Sequence, residues 1–222
     1  MIMTASLVTS PSPPNARRAA VGQFHLGFHL GIKTSSILFY RAVAQPEEDP
    51  MVQRQDPSTT KPVAVITGGS QGLGLTLAEA LAEAGWGLVI DARRSDRLAT
   101  AAADLARVTD VIAVPGDVTD PEHRRALAHA AGQLGPVQLL VNNASTLGTS
   151  PLPDLHDLDP DVWHRIFDVN VVAPIALVRE LDGHWADRAT VINITSDAGV
   201  EAYETWGGYG STKAAPQHAS RV

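Results

Sequence analysis

The chain has 222 residues, 44% of them hydrophobic, no cysteine and a formal net charge of −7. That length fits one domain with an appendage, and that hydrophobic share can build a core. The missing cysteine excludes disulfides and thiolate chemistry and fits a reducing, cytoplasmic setting, while the acidic balance argues against nucleic-acid binding, because a phosphate backbone selects basic surfaces.

The charge is unevenly placed. Residues 1–46 carry no Asp or Glu and four basic residues, Arg17, Arg18, Lys33 and Arg41, whereas the remainder nets −11. Within the first 20 residues "SPSPP" denies any regular element. The following "VGQFHLGFHLGIKTSSILFYRAVA" is apolar but broken by His25, His29 and Lys33. It lacks a run of ~18 apolar residues, so no membrane contact is expected. Three readings stay open: sequence upstream of an initiator at Met51, an organelle transit peptide, or a functional tail. On the first, residues 1–60 are a disordered leader and linker whose first 50 residues can be removed without loss of stability.

From Lys61 the texture changes. "PVAVITGG" is a β-branched strand ending in glycine, and "GLGLTLAEALAEAG" has helical spacing with Gly85 as its stop. "WGLVIDA" is a second strand and "SDRLATAAADLARV" a second helix opened by Ser95. "DVIAVPGDV" supplies a third strand, and "DPEHRRALAHAAGQLG" a helix with Asp120 as cap, Pro121 at its first position and Gly135 closing it. "PVQLLVNNA" is the fourth strand, "DPDVWHRIFDVNVVAPIALVRELDG" a long helix capped by Asp159, and "ATVINITS" the fifth strand. A last helix begins around Gly208. Strands alternating with helices of this length predict an α/β fold: a Rossmann-like, doubly wound parallel sheet of about five strands over residues 61–222, covered on both faces.

Two stretches carry chemistry. "TGGSQGLG", residues 67–74, joins the first strand to the first helix. Glycines there permit positive φ and let backbone approach a ligand, and the helix N-terminus beyond suits a pyrophosphate. Near the chain's end Tyr209 and Lys213 stand four apart, on one face of a helix. A free tyrosine has a pKa of ~10, and an ammonium one turn away stabilises its phenolate and makes it a usable acid/base. Each motif also has an ordinary reading. The glycines can be a tight loop, the Tyr-Lys pair a chance of helical spacing, Ser196 a turn cap, and Asn170 the partner of a buried carbonyl.

Taken in order, Gly68-x-x-x-Gly72-x-Gly74, "GDV" at 116–118, "NNAS" at 142–145, "VNVV" around Asn170, and Ser196 thirteen residues before Tyr209-x-x-x-Lys213 resemble the short-chain dehydrogenase/reductase family. The resemblance covers about 61–222. It implies an NAD(P)-dependent oxidoreductase that transfers hydride between nicotinamide and a carbonyl or alcohol carbon of a small molecule. In that family Tyr209 is the general acid/base, Lys213 its electrostatic partner and a ribose ligand, Ser196 the donor to the substrate oxygen, and Asn170 the holder of a relay water. Gly68, Ser70, Gly72, Leu73 and Gly74 would form the cofactor turn, Asp117 and Val118 would flank the adenine, and Asn142 and Ala144 would lie along the dinucleotide, Asn142 also bracing the sheet. The family's acidic ribose position falls on Ala92 and its arginine position on Arg93, while Asp91 comes one residue early and by strand alternation points elsewhere. NADP is therefore favoured, with NAD as the alternative. No metal site is expected.

The resemblance also implies a sixth strand, a substrate-covering segment and a seventh strand used in subunit contacts of a homo-oligomer. None of these follows Lys213 in this sequence, so the fifth strand would be an uncovered apolar edge. Pro216 is expected to kink or end the last helix. The alternative to an enzyme is a non-catalytic nucleotide-binding module or an inactive shortened chain, and the expectation is nucleotide binding with little turnover.

Overall fold

The computed structural model describes residues 3–9, 23–26 and 61–220. Its strands are β1 (Met3–Thr9), β2 (Gln23–Leu26), β3 (Val63–Ile66), β4 (Gly87–Ala92), β5 (Val111–Pro115), β6 (Val137–Asn142) and β7 (Trp185–Ile194). The helices are α1 (Gly72–Glu83), α2 (Ser95–Leu105), α3 (Pro121–Leu134), α4 (Pro160–Phe167), α5 (Ala173–Glu180) and α6 (Gly207–Ala219). They make one sheet in the order β2-β1-β7-β6-β3-β4-β5.

The five strands from β3 onward are parallel to one another, with Val65 between Val89 and Leu140. Because side chains alternate along a strand, each strand feeds two cores. Ala64, Ile66, Leu88, Ile90 and Val141 pack with Ala78, Leu98 and Leu105 of α1 and α2. Val63, Val65, Val89 and Leu140 pack on the opposite face with Leu127 and Ala131 of α3, Leu177 of α5 and Leu181 just beyond it. Each fully buried Leu or Ile contributes about 1.5–3 kcal/mol. This is the doubly wound architecture expected. The chain passes from one side of β3 to the other when β6 pairs with it, and the crevice opens at the carboxyl ends of those two strands.

Helix boundaries follow local chemistry. Asp120 accepts from Glu122 N at 2.9 Å with Pro121 opening α3, and Asp159 accepts from Asp161 N at 2.8 Å with Pro160 opening α4. Gly85 and Gly135 take the positive φ values, 84° and 136°, that end the preceding helices. The long helix expected over 159–183 is present from Pro160 to Glu180, but a five-residue π-helical turn at Asp168–Val172 divides α4 from α5.

Three expectations need correction. The edge of β7 is covered: Ala5–Thr9 of β1 pair antiparallel with Ile194–Thr190, and β2 pairs antiparallel with β1. An edge of unpaired N–H and C=O groups accepts any extended segment of the same chain, and residues 3–9 supply it. Residues 1–60 are thus not wholly a disordered leader, although the linker read over 45–62, with Met51, lies outside the described residues up to residue 60. Pro216 does not end the last helix either. α6 continues to Ala219, with Pro216 buried and its carbonyl accepting from Ser220 N at 3.0 Å and Ser220 Oγ at 2.6 Å, so one missing N–H is absorbed by packing and a closing turn. Among the described residues no helix is long and apolar enough to cross a membrane.

Candidate active site

Four loops at the carboxyl ends of β3, β4, β5 and β6 enclose one cleft. It is lined by Gly68, Ser70 and Gln71, by Asp91 to Arg94 with Arg97, by Gly116 to Val118, and by Asn143 to Ser145 with Val169. Of the residues expected at a cofactor, Gly68, Ser70, Arg93, Asp117, Val118 and Ala144 line it. Gly72, Leu73, Gly74, Asn142, Tyr209 and Lys213 do not.

Gly74 and Asn142 act from behind. Gly68 and Gly72 have φ of 68° and 56°, which a glycine adopts without strain. Gly74 is required by proximity instead. A Cβ on it would lie 2.3 Å from Gly68 O and 2.5 Å from Asn143 Nδ2. Asn143, which the sequence reading passed over, donates from that nitrogen to Thr67 O at 2.9 Å and Gly68 O at 3.1 Å. Thr67 Oγ1 in turn accepts from Asn143 N and Ala144 N, both at 3.0 Å. These bonds serve the backbone groups freed where β3 and β6 part. Asn142 turns the other way, donating to Asn193 Oδ1 on β7 at 2.9 Å, as a brace between strands. Gln71, which precedes α1, gives its first-turn N–H groups no side-chain cap, leaving donors for an anion.

The two sides of the cleft carry different charge. Partial burial opposes ionisation of Asp117, but the N–H and hydroxyl of Thr119 and the Arg165 guanidinium outweigh it and hold the carboxyl below its usual range. Opposite stand three arginines. Arg94 is paired with Asp96 at 2.7 Å, Arg97 donates to Gln71 Oε1, and Arg93 is exposed. Asp91 is turned inward, with Oδ1 accepting from Gly68 N at 2.7 Å and Oδ2 at 2.8 Å from His123 Nε2.

The four candidate catalytic residues, Asn170, Ser196, Tyr209 and Lys213, are all buried. Lys213 Nζ stands 5.5 Å from the centre of the Tyr209 ring and donates to Ile194 O at 2.9 Å. Burial lowers the Lys213 pKa to about 8. Burial raises that of Tyr209, opposed by a hydrogen bond with Ser145 and reinforced by the Asp197 carboxylate. Ser145 also donates to Asn170 Oδ1 at 3.1 Å. Because Ser145 lines the cleft, it joins the Tyr-Lys pair to the cofactor side; it stood inside the "NNAS" motif without a role.

Two of these residues make structural hydrogen bonds. The Asn170 side chain is fully engaged, accepting from Ser145 Oγ and Thr146 N and donating to Thr146 O and Thr212 Oγ1 at 2.9–3.1 Å. It ties the π-helical turn to α6. Ser196 Oγ accepts from Ala198 N at 3.2 Å and donates to Asp197 Oδ1 at 2.8 Å, the turn cap of its ordinary reading. Elsewhere, exposed Asp154, His156 and Asp157 bring ligand-type atoms within 4.8 Å of one another, which acidic loops commonly do.

The cleft lies at the topological switch point of a doubly wound sheet, beside an uncapped, glycine-lined helix start, which is where folds of this kind take their ligands. A family model described as short chain dehydrogenase matches residues 62–222, and the chain belongs to that family. It is 34% identical over 168 residues to a rhamnolipids biosynthesis 3-oxoacyl-(acyl-carrier-protein) reductase of Pseudomonas aeruginosa, covering 72% of this chain and 64% of the relative. A 1-deoxy-11-beta-hydroxypentalenate dehydrogenase of Streptomyces avermitilis is 35% identical over 158 residues, with 70% and 58% covered. The chain thus spans less than two thirds of the length of these relatives. Among solved structures, an alcohol dehydrogenase of Thermococcus sibiricus complexed with 5-hydroxy-NADP superposes with a TM-score of 0.63 at 28% identity, covering 72% of this chain and 69% of that one.

Proposed function

We propose that the chain is an NADP-dependent oxidoreductase acting on a small carbonyl or alcohol. The observation that carries this reading is the buried Tyr209–Lys213 pair, linked through Ser145 to a cleft built for a dinucleotide. The residues present fit that group: Gly74 leaves no Cβ against the turn, α1 offers uncapped N–H groups, and arginines line the far end. Once bound there, the nicotinamide supplies or accepts the hydride. Tyr209 moves the proton at its phenolic oxygen. Burial alone makes its phenolate scarce, so the Lys213 ammonium must stabilise it. With a pKa of about 8, Lys213 is mostly protonated at neutral pH and can do so.

Support for NADP comes from the carboxylates. Both Asp91 oxygens are engaged and Ala92 holds the position where an acid would meet the ribose, whereas Arg93 is exposed beside the cleft. A guanidinium there suits a 2′-phosphate. The commitment of Ser196 Oγ to Asp197 and Ala198 favours a second reading, nucleotide binding without turnover.

One experiment separates them. NADPH is titrated by fluorescence, and a broad panel of ketones is then assayed at saturating cofactor with the native chain and Tyr209→Phe. Turnover that vanishes in Tyr209→Phe, with binding retained, establishes the oxidoreductase. Binding without turnover establishes the second reading, and no binding overturns both.

A further inference from the structure

Beneath the glycine turn lies a buried polar pair outside the catalytic constellation. Asp91, the fifth residue of β4, is 1% exposed, and His123, in the first turn of α3, is 6% exposed. Asp91 contacts the turn twice and the imidazole once. Its Oδ1 accepts from Gly68 N at 2.7 Å, its backbone carbonyl from Gly69 N at 2.9 Å, and its Oδ2 is held by His123 Nε2 at 2.8 Å. The other edge of the imidazole lies so close to the backbone after β5 that a Cβ on Gly116 would stand 2.2 Å from His123 Nδ1. Gly68 and Gly116 both line the cleft. One imidazole therefore fixes two of the cleft's loops, through a carboxylate on one side and by direct packing on the other.

We propose that His123 is a positioning residue for the dinucleotide. By holding Oδ2 it keeps the Asp91 carboxylate aimed at Gly68 N–H, which fixes the phosphate-binding turn. The role rests on the reading that the cleft takes a dinucleotide. It makes a claim that a merely stabilising pair would not. The turn meets the pyrophosphate, which NADPH and NADH share, so loss of His123 weakens both by the same factor. Loss of Arg93 is felt only by NADPH. A buried pair that served stability alone would lower the unfolding temperature and leave the affinity of the folded molecules unchanged.

The test is the affinity of the full chain for NADPH and NADH, measured by fluorescence titration in the native protein, His123→Leu, His123→Gln and His123→Asn, with thermal unfolding of each in the absence of cofactor. In His123→Leu both affinities are expected to fall by about tenfold, the order that loss of one charge-assisted hydrogen bond produces. Gln can place an amide nitrogen where imidazole Nε2 stood and restores most of the affinity, whereas Asn is too short to reach Asp91 and does not. If His123→Leu fails to fold, the Gln–Asn contrast decides. Equal affinities across the folded variants, or a fall confined to one cofactor, overturn the positioning role while the dinucleotide reading stands. A native chain that binds neither cofactor overturns that reading, and this role with it.

Discussion

Substituting Gly74 by alanine tests the claim that one absent Cβ shapes the cofactor turn. Gly74 lies in the first turn of α1, where alanine would ordinarily gain about 1 kcal/mol of helix propensity. The added Cβ, however, falls 2.3 Å from Gly68 O and 2.5 Å from Asn143 Nδ2, inside any real contact. Overpacking of this kind costs about 1–3 kcal/mol. The clash is with backbone and with an amide already bonded to Thr67 O and Gly68 O, so at least one hydrogen bond yields, costing about 1 kcal/mol more. The propensity gain offsets part of this, leaving a net loss of about 2 kcal/mol, a large fraction of the usual 5–15 kcal/mol margin. Gly72→Ala is the control. Its Cβ would have no atom within 4 Å, but φ is 56°, so it loses only about 1 kcal/mol through backbone strain. Urea unfolding of both variants without cofactor, followed by NADPH titration, checks the order. A Gly74→Ala protein as stable as the native chain, or more so, would refute the packing argument and return Gly74 to being an ordinary helical residue.

Arg93→Ala should weaken NADPH by about tenfold or more and leave NADH unchanged in parallel titrations, since loss of one charge-assisted pair is worth about 1.5–3 kcal/mol. Asn170→Ala should cost about 2–4 kcal/mol in urea unfolding, because its four hydrogen bonds leave Thr146 and Thr212 groups unserved inside the protein. Lys213 has a folded pKa of about 8 against an ordinary 10.5, so unfolding takes up a proton between those values and stability rises with pH across that window. The full difference is roughly 3 kcal/mol; unfolding at about pH 7.5 and about pH 9.5 should show most of that gain in the native chain and not in Lys213→Met. Above pH 10 the raised pKa of Tyr209 acts in the opposite sense. Removing residues 1–26 should expose the β7 edge and produce concentration-dependent association by light scattering.

What the sequence determined by itself was whatever depends on local periodicity and spacing. Alternating apolar runs and amphipathic segments fix the βαβ order. Asp120, Pro121, Asp159 and Gly135 fix helix ends through bonds within a few residues. The four-residue step from Tyr209 to Lys213 holds on any helix. What only the tertiary structure decided are the partnerships across the sheet. Asp91 meets His123 from 32 residues away, Asn143 closes over a turn 75 residues earlier, and Ser145 reaches both Asn170 and Tyr209. No spacing rule encodes these pairs, because the strand order that brings β3 beside β6 is set by the packing of both helical layers together. The same holds for β1 on β7. An open edge demands a partner, but which segment answers depends on where the chain lies in three dimensions.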